Sequence, residues 1–335
     1  MTFERRVEAV EALGFTSRQA RFLVLVALHS GYCLRRQYAA FSGVSYGKNV
    51  RDFLDSLVAK QLAERFQIRA DRGHLYHLCA RPFYRVLGQE HNRNRRAASA
   101  ALIARKLMVL DFVLSHSNAQ WIAAEEDKVQ LFAERLNVPR ADLPQRAFAA
   151  ADDRDRPTTR YFPHKLPVAM VGDPPVVHFM VLITDTTGRA LEQFLQDHAD
   201  LFRRLSAWSV VAVGPSASLN VADCEGAFAR FLKSPVVPFS ERIDDLRWYF
   251  TSRRSVDDGE LSRLSMSDID RFRQLRRSFN SAPFEALYRA WIVRGDEVLV
   301  AYGAAQEGGP NGVGRLMTQT LPFDYSQFGS LPGVA

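Results

Sequence analysis

An unbroken apolar stretch, Phe22-Leu23-Val24-Leu25-Val26-Ala27-Leu28, runs between Thr16, which has Gln19 three positions on, and Gly31. Thr followed by Gln at this spacing is a helix capping box, in which side chains satisfy the open N–H groups of the first turn. A helix this apolar cannot lie on water, so neighbouring elements must cover it. Phe3 to Leu13 supplies one cover, an amphipathic helix with Phe3, Val7 and Val10 on one face, ended by Gly14. Leu34 to Phe41, closed by Ser42-Gly43, reads as a short helix. Ser45 to Ala63 reads as a longer one in which Val50, Phe53, Leu54, Leu57, Val58 and Leu62 keep helical spacing. Helix, tight turn and longer helix make the helix-turn-helix order. Glu64 to Ala70 and Leu75 to Cys79 then read as strands around the turn Asp71-Arg72-Gly73-His74. A hairpin in that place predicts a winged helix rather than a plain helix-turn-helix.

The net charge of +7 matters less than where it lies: residues 1–110 hold 19 Lys+Arg against 8 Asp+Glu, and residues 111–335 hold 25 against 29. A positive first third implies a polyanion partner there, and double-stranded DNA is the partner expected. A recognition helix presents its first turns to base edges in the major groove. Here those turns are Ser45 to Arg51, and the apolar stripe leaves Tyr46, Lys48, Asn49 and Arg51 outside it. Asn and Arg can read adenine and guanine edges bidentately, and Lys48 suits a base or a phosphate. Arg35, Arg36 and Gln37 open the preceding helix and are candidates for backbone contact. Arg69 and Arg72 on the hairpin are candidates for the minor groove or phosphates, and Arg93, Arg95 and Arg96 for extending the phosphate contact.

The segment from Thr16 through the hairpin, with its Leu57-Val58-Ala59-Lys60-Gln61-Leu62 stretch, resembles the replication-relaxation type proteins of bacterial plasmids and integrative elements. The likeness resumes at His91 to Leu114, a predicted long helix opening with HNRNRR, and at Val176 to Leu205, where HFMVLITDTTGRALEQFLQ reads as strand, acidic turn and helix. It covers about half the chain. The resemblance implies a winged-helix DNA binder in mobile-element maintenance or regulation.

The expected architecture is α+β: a winged helix over residues 1–90, a helical linker over 91–150, an α/β domain with a small mixed sheet over 151–305, and a poorly ordered tail over 306–335. From Asn92 to Leu114 the linker helix is apolar on more than one face, which predicts pairing with a second copy in a homodimer. A second linker helix is expected from Trp121 to Leu136. Farther on, strands at Leu166 to Val171, Val176 to Thr184 and Trp208 to Val213, with a helix from Ala190 to Ala207, form a βαβ pattern. Helices follow at 221–232, 241–250, 267–279 and 283–293, then a strand from Glu297 to Tyr302.

Chemistry-bearing motifs are sparse. A metal-dependent nuclease would need paired carboxylates at strand ends with a Glu-x-Lys. Asp173 and Asp185 flank one strand, but the Glu126-Asp127-Lys128 triplet falls in the linker. No phosphate-loop, dinucleotide or zinc-protease motif occurs, and the three cysteines form no C-x-x-C pair, so neither a metal site nor a cofactor is expected. With no apolar run of spanning length and no apolar leader at its start, the chain is expected to be cytoplasmic, without a membrane partner.

Overall fold

The capping box forms as its spacing requires: Thr16 Oγ1 accepts the Gln19 N–H at 3.4 Å and Gln19 Oε1 accepts the Thr16 N–H at 3.0 Å. A computed structural model describes residues 1–68, 73–116, 118–148, 158–185, 188–233, 239–260, 265–279, 282–306, 312–323 and 325–330. The first elements are α1 (Phe3–Glu11), α2 (Ser17–His29), β1 (Tyr32–Leu34), α3 (Arg35–Ser42), α4 (Lys48–Ala59), β2 (Ala63–Gln67), β3 (His74–Leu78) and α5 (Arg81–Val86). Gly43, at φ +66°, ends α3 in the left-handed conformation that costs a Gly least. The three strands form an antiparallel sheet in the order β1-β3-β2. Alternation divides its residues. Cys33, Tyr76 and Leu78 join Phe22, Leu23, Val50, Phe53 and Leu54 in one core, whereas Tyr32, Leu34 and Leu75 face a second core.

Helix α6 (Ala100–Ser115) fills the second core. The expected long helix from Asn92 is shorter because the Asn92 side chain accepts the Asn94 N–H and turns residues Arg93–Arg95 into one 3-10 turn. Both apolar faces of α6 are covered within the chain. Leu110 packs into the core of α2, while Ile103, Leu107, Met108, Phe112 and Val113 pack with Met180, Leu182, Val211 and Val213. Most of the apolar surface that motivated a homodimer is therefore already in use, and of the large apolar residues from 92 to 114 only Leu102 stands exposed.

The expected helix from Trp121 starts later. Trp121 packs edge-on against Phe112 and Ile122 bridges Val168, so α7 begins at Glu125 (Glu125–Gln130) and continues through a π-helical turn at Leu131–Arg135. A small antiparallel pair follows, β4 (Gln145–Phe148) with β5 (Thr158–Tyr161). Next come β6 (Val168–Val171), β7 (Val176–Leu182), α8 (Arg189–Asp197), α9 (Ala199–Arg204) and β8 (Ala207–Pro215). The single helix expected over Ala190 to Ala207 is broken at His198, whose Nδ1 lies 2.9 Å from the Phe194 carbonyl oxygen. The fold is mixed α and β, with a mixed four-stranded sheet in the order β6-β7-β8 and then β9 (Val313–Leu321), antiparallel for β6-β7 and parallel for the other two pairs.

Two expectations near the C-terminus are corrected. Residues of the supposed tail form β9 (Val313–Leu321), which pairs with β8 along its whole length. Its polar surface hid it: as an outer strand it leaves alternate residues in solvent, and Gly314 stands opposite Trp208, whose indole would collide with any side chain there. Glu297 to Tyr302 is helical, within α14 (Glu297–Gln306), which joins α11 (Phe239–Asp257), α12 (Met266–Phe279) and α13 (Ala282–Arg294) around their own core of Leu246, Phe250, Tyr288 and Leu299. A short Val-rich run does not distinguish strand from helix by itself. The helical unit lies between α10 (Val221–Lys233) and β9 in the chain.

Three basic side chains, Lys128, His29 and His198, are buried. Lys128 is 1 % exposed, donates to the Leu166 carbonyl at 2.7 Å, and has its pKa pushed down to about 7 by burial. Burial, with the charge of Lys128 adding, lowers His29 to about 3; burial and His164 lower His198 to about 3. Both imidazoles stay neutral in the folded chain, whereas the unfolded chain takes up protons below pH about 6.5. The unfolded state then binds more protons, so the contribution of the two histidines is full above that value and is lost as pH drops toward 3. Urea unfolding is expected to show a lower midpoint at pH about 5 than at pH about 7, with a shallower dependence in His29→Leu. Equal midpoints would contradict this.

Candidate nucleic-acid interface

The first turn of α4 is left open by its own sequence. Gly47 at the N-cap has no side chain to accept the free N–H groups, which therefore point to solvent with the positive end of the helix dipole. Val50, Phe53, Leu54 and Leu57 take the buried face, and Lys48, Asn49 and Arg51 are exposed beside that turn. Tyr46 precedes the helix and is 65 % exposed. Lys48 and Asn49 have no side-chain partner among the described residues, and Arg51 has only Asp52, exposed and 3.8 Å away. Arg18, at the start of α2, is exposed and its guanidinium donates to the Ser42 carbonyl at the end of α3 at 3.1 Å. Its position at the start of α2 signalled nothing, since the link to Ser42 is tertiary.

The other residues expected to meet DNA divide differently. Arg35 is not a free cation: Nε donates to the Tyr76 hydroxyl at 2.9 Å and the guanidinium lies 3.4 Å from Asp55, so α3, α4 and β3 are tied by one polar knot. Burial opposes ionisation of Asp55, yet the Tyr76 hydroxyl with Arg35 and Arg65 holds its carboxyl below the ordinary range. Arg36 makes a bidentate pair with Asp111 at 2.6 and 2.8 Å and lies over the Phe323 ring at 3.5 Å. Gln37 is 1 % exposed, accepting the Leu34 N–H and donating to the Leu107 carbonyl. These three residues hold the fold together: Arg36 and Gln37 face α6, and Arg35 ties α3 to α4 and β3.

Arg93 and Arg96 are exposed and Arg95 donates to the Glu90 carbonyl at 3.0 Å. Their segment is fixed by Asn94, which donates to the Ala27 and Leu28 carbonyls and whose own carbonyl lies 3.0 Å from His77 Nε2. His77 and Tyr76 point to opposite faces of β3, and Tyr76 reaches Asp55 of α4 at 2.7 Å. Arg93 to Arg96 therefore sit across the sheet from α4 and do not extend its surface. Arg69 and Arg72 lie outside the described residues.

The acidic pair considered for a nuclease does not meet. Asp173 and Asp185 lie beyond opposite ends of the seven-residue β7, which separates them by roughly 20 Å. Asp127 is taken by Arg6 at 2.6 Å, and Lys128 is buried under Leu166. No described helix is long and apolar enough to cross a membrane. Comparison with protein-family models, curated proteins and solved structures finds no match to this chain.

Paired and unpaired residues separate in unfolding experiments. Lys48→Ala and Asn49→Ala are expected to leave stability within about 0.5 kcal/mol of wild type. Arg35→Ala and Gln37→Ala are expected to lower it by about 1–3 kcal/mol, since the first removes a charge-assisted bond from the Arg35–Tyr76–Asp55 cluster and the second leaves the buried Leu34 N–H without its acceptor. Equal small effects at all four positions in urea denaturation would overturn this division.

Proposed function

We propose that residues 1–90 are a winged helix-turn-helix that binds double-stranded DNA, with α3 and α4 as the helix pair, α4 as the recognition helix and β2–β3 as the wing. The observation that carries this reading is the open first turn of α4, where Lys48, Asn49 and Arg51 stand exposed around uncapped N–H groups on a helix held rigidly by its apolar face. A cation and a helix N-terminus suit phosphate, and Asn and Arg suit base edges. Tyr46 borders the same surface, one residue before the N-cap. The strand, helix, helix, hairpin order and the β1-β3-β2 sheet support the module, and the excess of basic residues before position 110 supports its partner. The likeness to replication-relaxation type proteins supports a role as a regulator or as a replication or transfer accessory factor of a mobile element.

Fluorescence anisotropy with DNA flanking the gene tests this. Affinity is expected to fall linearly in log–log form with salt, and Lys48→Ala to reduce that slope by about one unit. Asn49→Ala and Arg51→Ala are expected to weaken the specific site by about 1–3 kcal/mol while sparing random DNA. Absent or salt-independent binding by the full chain would refute the proposal. Equal losses on both DNAs would reassign Asn49 and Arg51 to the backbone.

A further inference from the structure

The β2–β3 ladder places Glu64 directly opposite His77, and Cys79 follows two residues on, on the same face. One potential ligand atom from each of these three side chains lies within 4.8 Å of the other two. We infer that this end of the hairpin is a binding site for a divalent transition metal of the zinc class, with Glu64, His77 and Cys79 as protein ligands and a fourth position open to solvent.

The donor set suits such an ion: one sulfur, one imidazole nitrogen and one carboxylate oxygen match the ligands zinc takes in tetrahedral sites. Tetrahedral zinc with bonds of about 2.0–2.3 Å holds its ligand atoms roughly 3.5 Å apart, so the cluster need close by only about 1 Å. Glu64 is exposed and already paired with the Cys79 thiol, a contact that a bound ion would replace on deprotonation of the sulfur. His77, by contrast, is already held. Its Nε2 lies 3.0 Å from the Asn94 carbonyl, which can only accept, so Nε2 carries the proton and Nδ1 keeps the lone pair for a metal. Tyr32 stacks on the ring at 4.0 Å with planes 5° apart, fixing its orientation further. A metal-binding histidine whose other nitrogen donates to a backbone carbonyl is the usual outer-shell arrangement. The charge of Lys106 acts on His77 and opposes a cation, but its ammonium is tied to Ser30 and Asn94, and a carboxylate with a thiolate outweighs its single charge. Because Asn94 anchors the segment after the hairpin, a bound ion would lock that segment and both strands to one point.

Cobalt(II) titration of the full chain, with cysteines kept reduced, tests the site. The wild type is expected to show one-to-one binding with a thiolate-to-cobalt charge-transfer band and tetrahedral d–d bands, both displaced by zinc. Cys79→Ser is expected to lose the charge-transfer band, Glu64→Gln to weaken binding, and Cys224→Ser to change neither. Circular dichroism confirms that each variant is folded, and Cys79 and Glu64 are chosen because neither is fully buried. No charge-transfer band at saturating cobalt in the wild type, or a band that survives Cys79→Ser, would overturn the inference.

Discussion

The carboxylate of Asp111 accepts three hydrogen bonds from two distant parts of the chain. Arg36 of α3 donates two, at 2.6 and 2.8 Å, and the Tyr325 hydroxyl donates a third at 2.6 Å. Asp111 itself lies in α6 and is buried. A buried carboxylate is tolerated only when its acceptor sites are filled, and removing one partner of such a pair costs about 3–5 kcal/mol. The knot therefore requires α3, α6 and the C-terminal segment to be in place together. Phe328, fully buried beside α6, closes the same core with apolar contact. For this reason the N-terminal unit is not a bead on a linker: its sheet, α6 and the face of β7 and β8 share one interior.

What could be read from the sequence was local. Thr16 and Gln19, Gly43, and the stripe of Val50, Phe53, Leu54 and Leu57 each act within a few residues, and each element stands close to where its signal placed it. The βαβ pattern was visible because β7 and β8 are apolar on both faces: Phe179 and Val210 serve one core, Met180 and Val211 the other. Two of the misreadings, at Arg36 and at β9, come from a partner far away in the chain. Arg36 looked like a free cation because its counter-ion is Asp111, 75 residues on. Similarly, β9 looked like a tail because its strand partner is β8, about a hundred residues earlier. Glu64, His77 and Cys79 formed no motif because only the register of the hairpin brings them together.

The charge asymmetry also has a tertiary meaning. Arg6 pairs with Asp127 and Arg36 with Asp111, so part of the positive excess of residues 1–110 neutralises acids in the rest of the chain. Arg21 pairs with Glu4, and Arg81 and Arg85 converge on Glu90. The cations left without a carboxylate partner are fewer than the count suggests, and Lys48 stands exposed at the open turn of α4.

Hydrogen exchange of the wild type and of Asp111→Ala tests most directly whether one carboxylate holds these parts together. The account predicts that α6 amides are among the slowest to exchange, and that Asp111→Ala accelerates exchange in α3 and in residues 325–330 together. Acceleration confined to the turns of α6 around position 111, with α3 and the C-terminal segment unchanged, would contradict it.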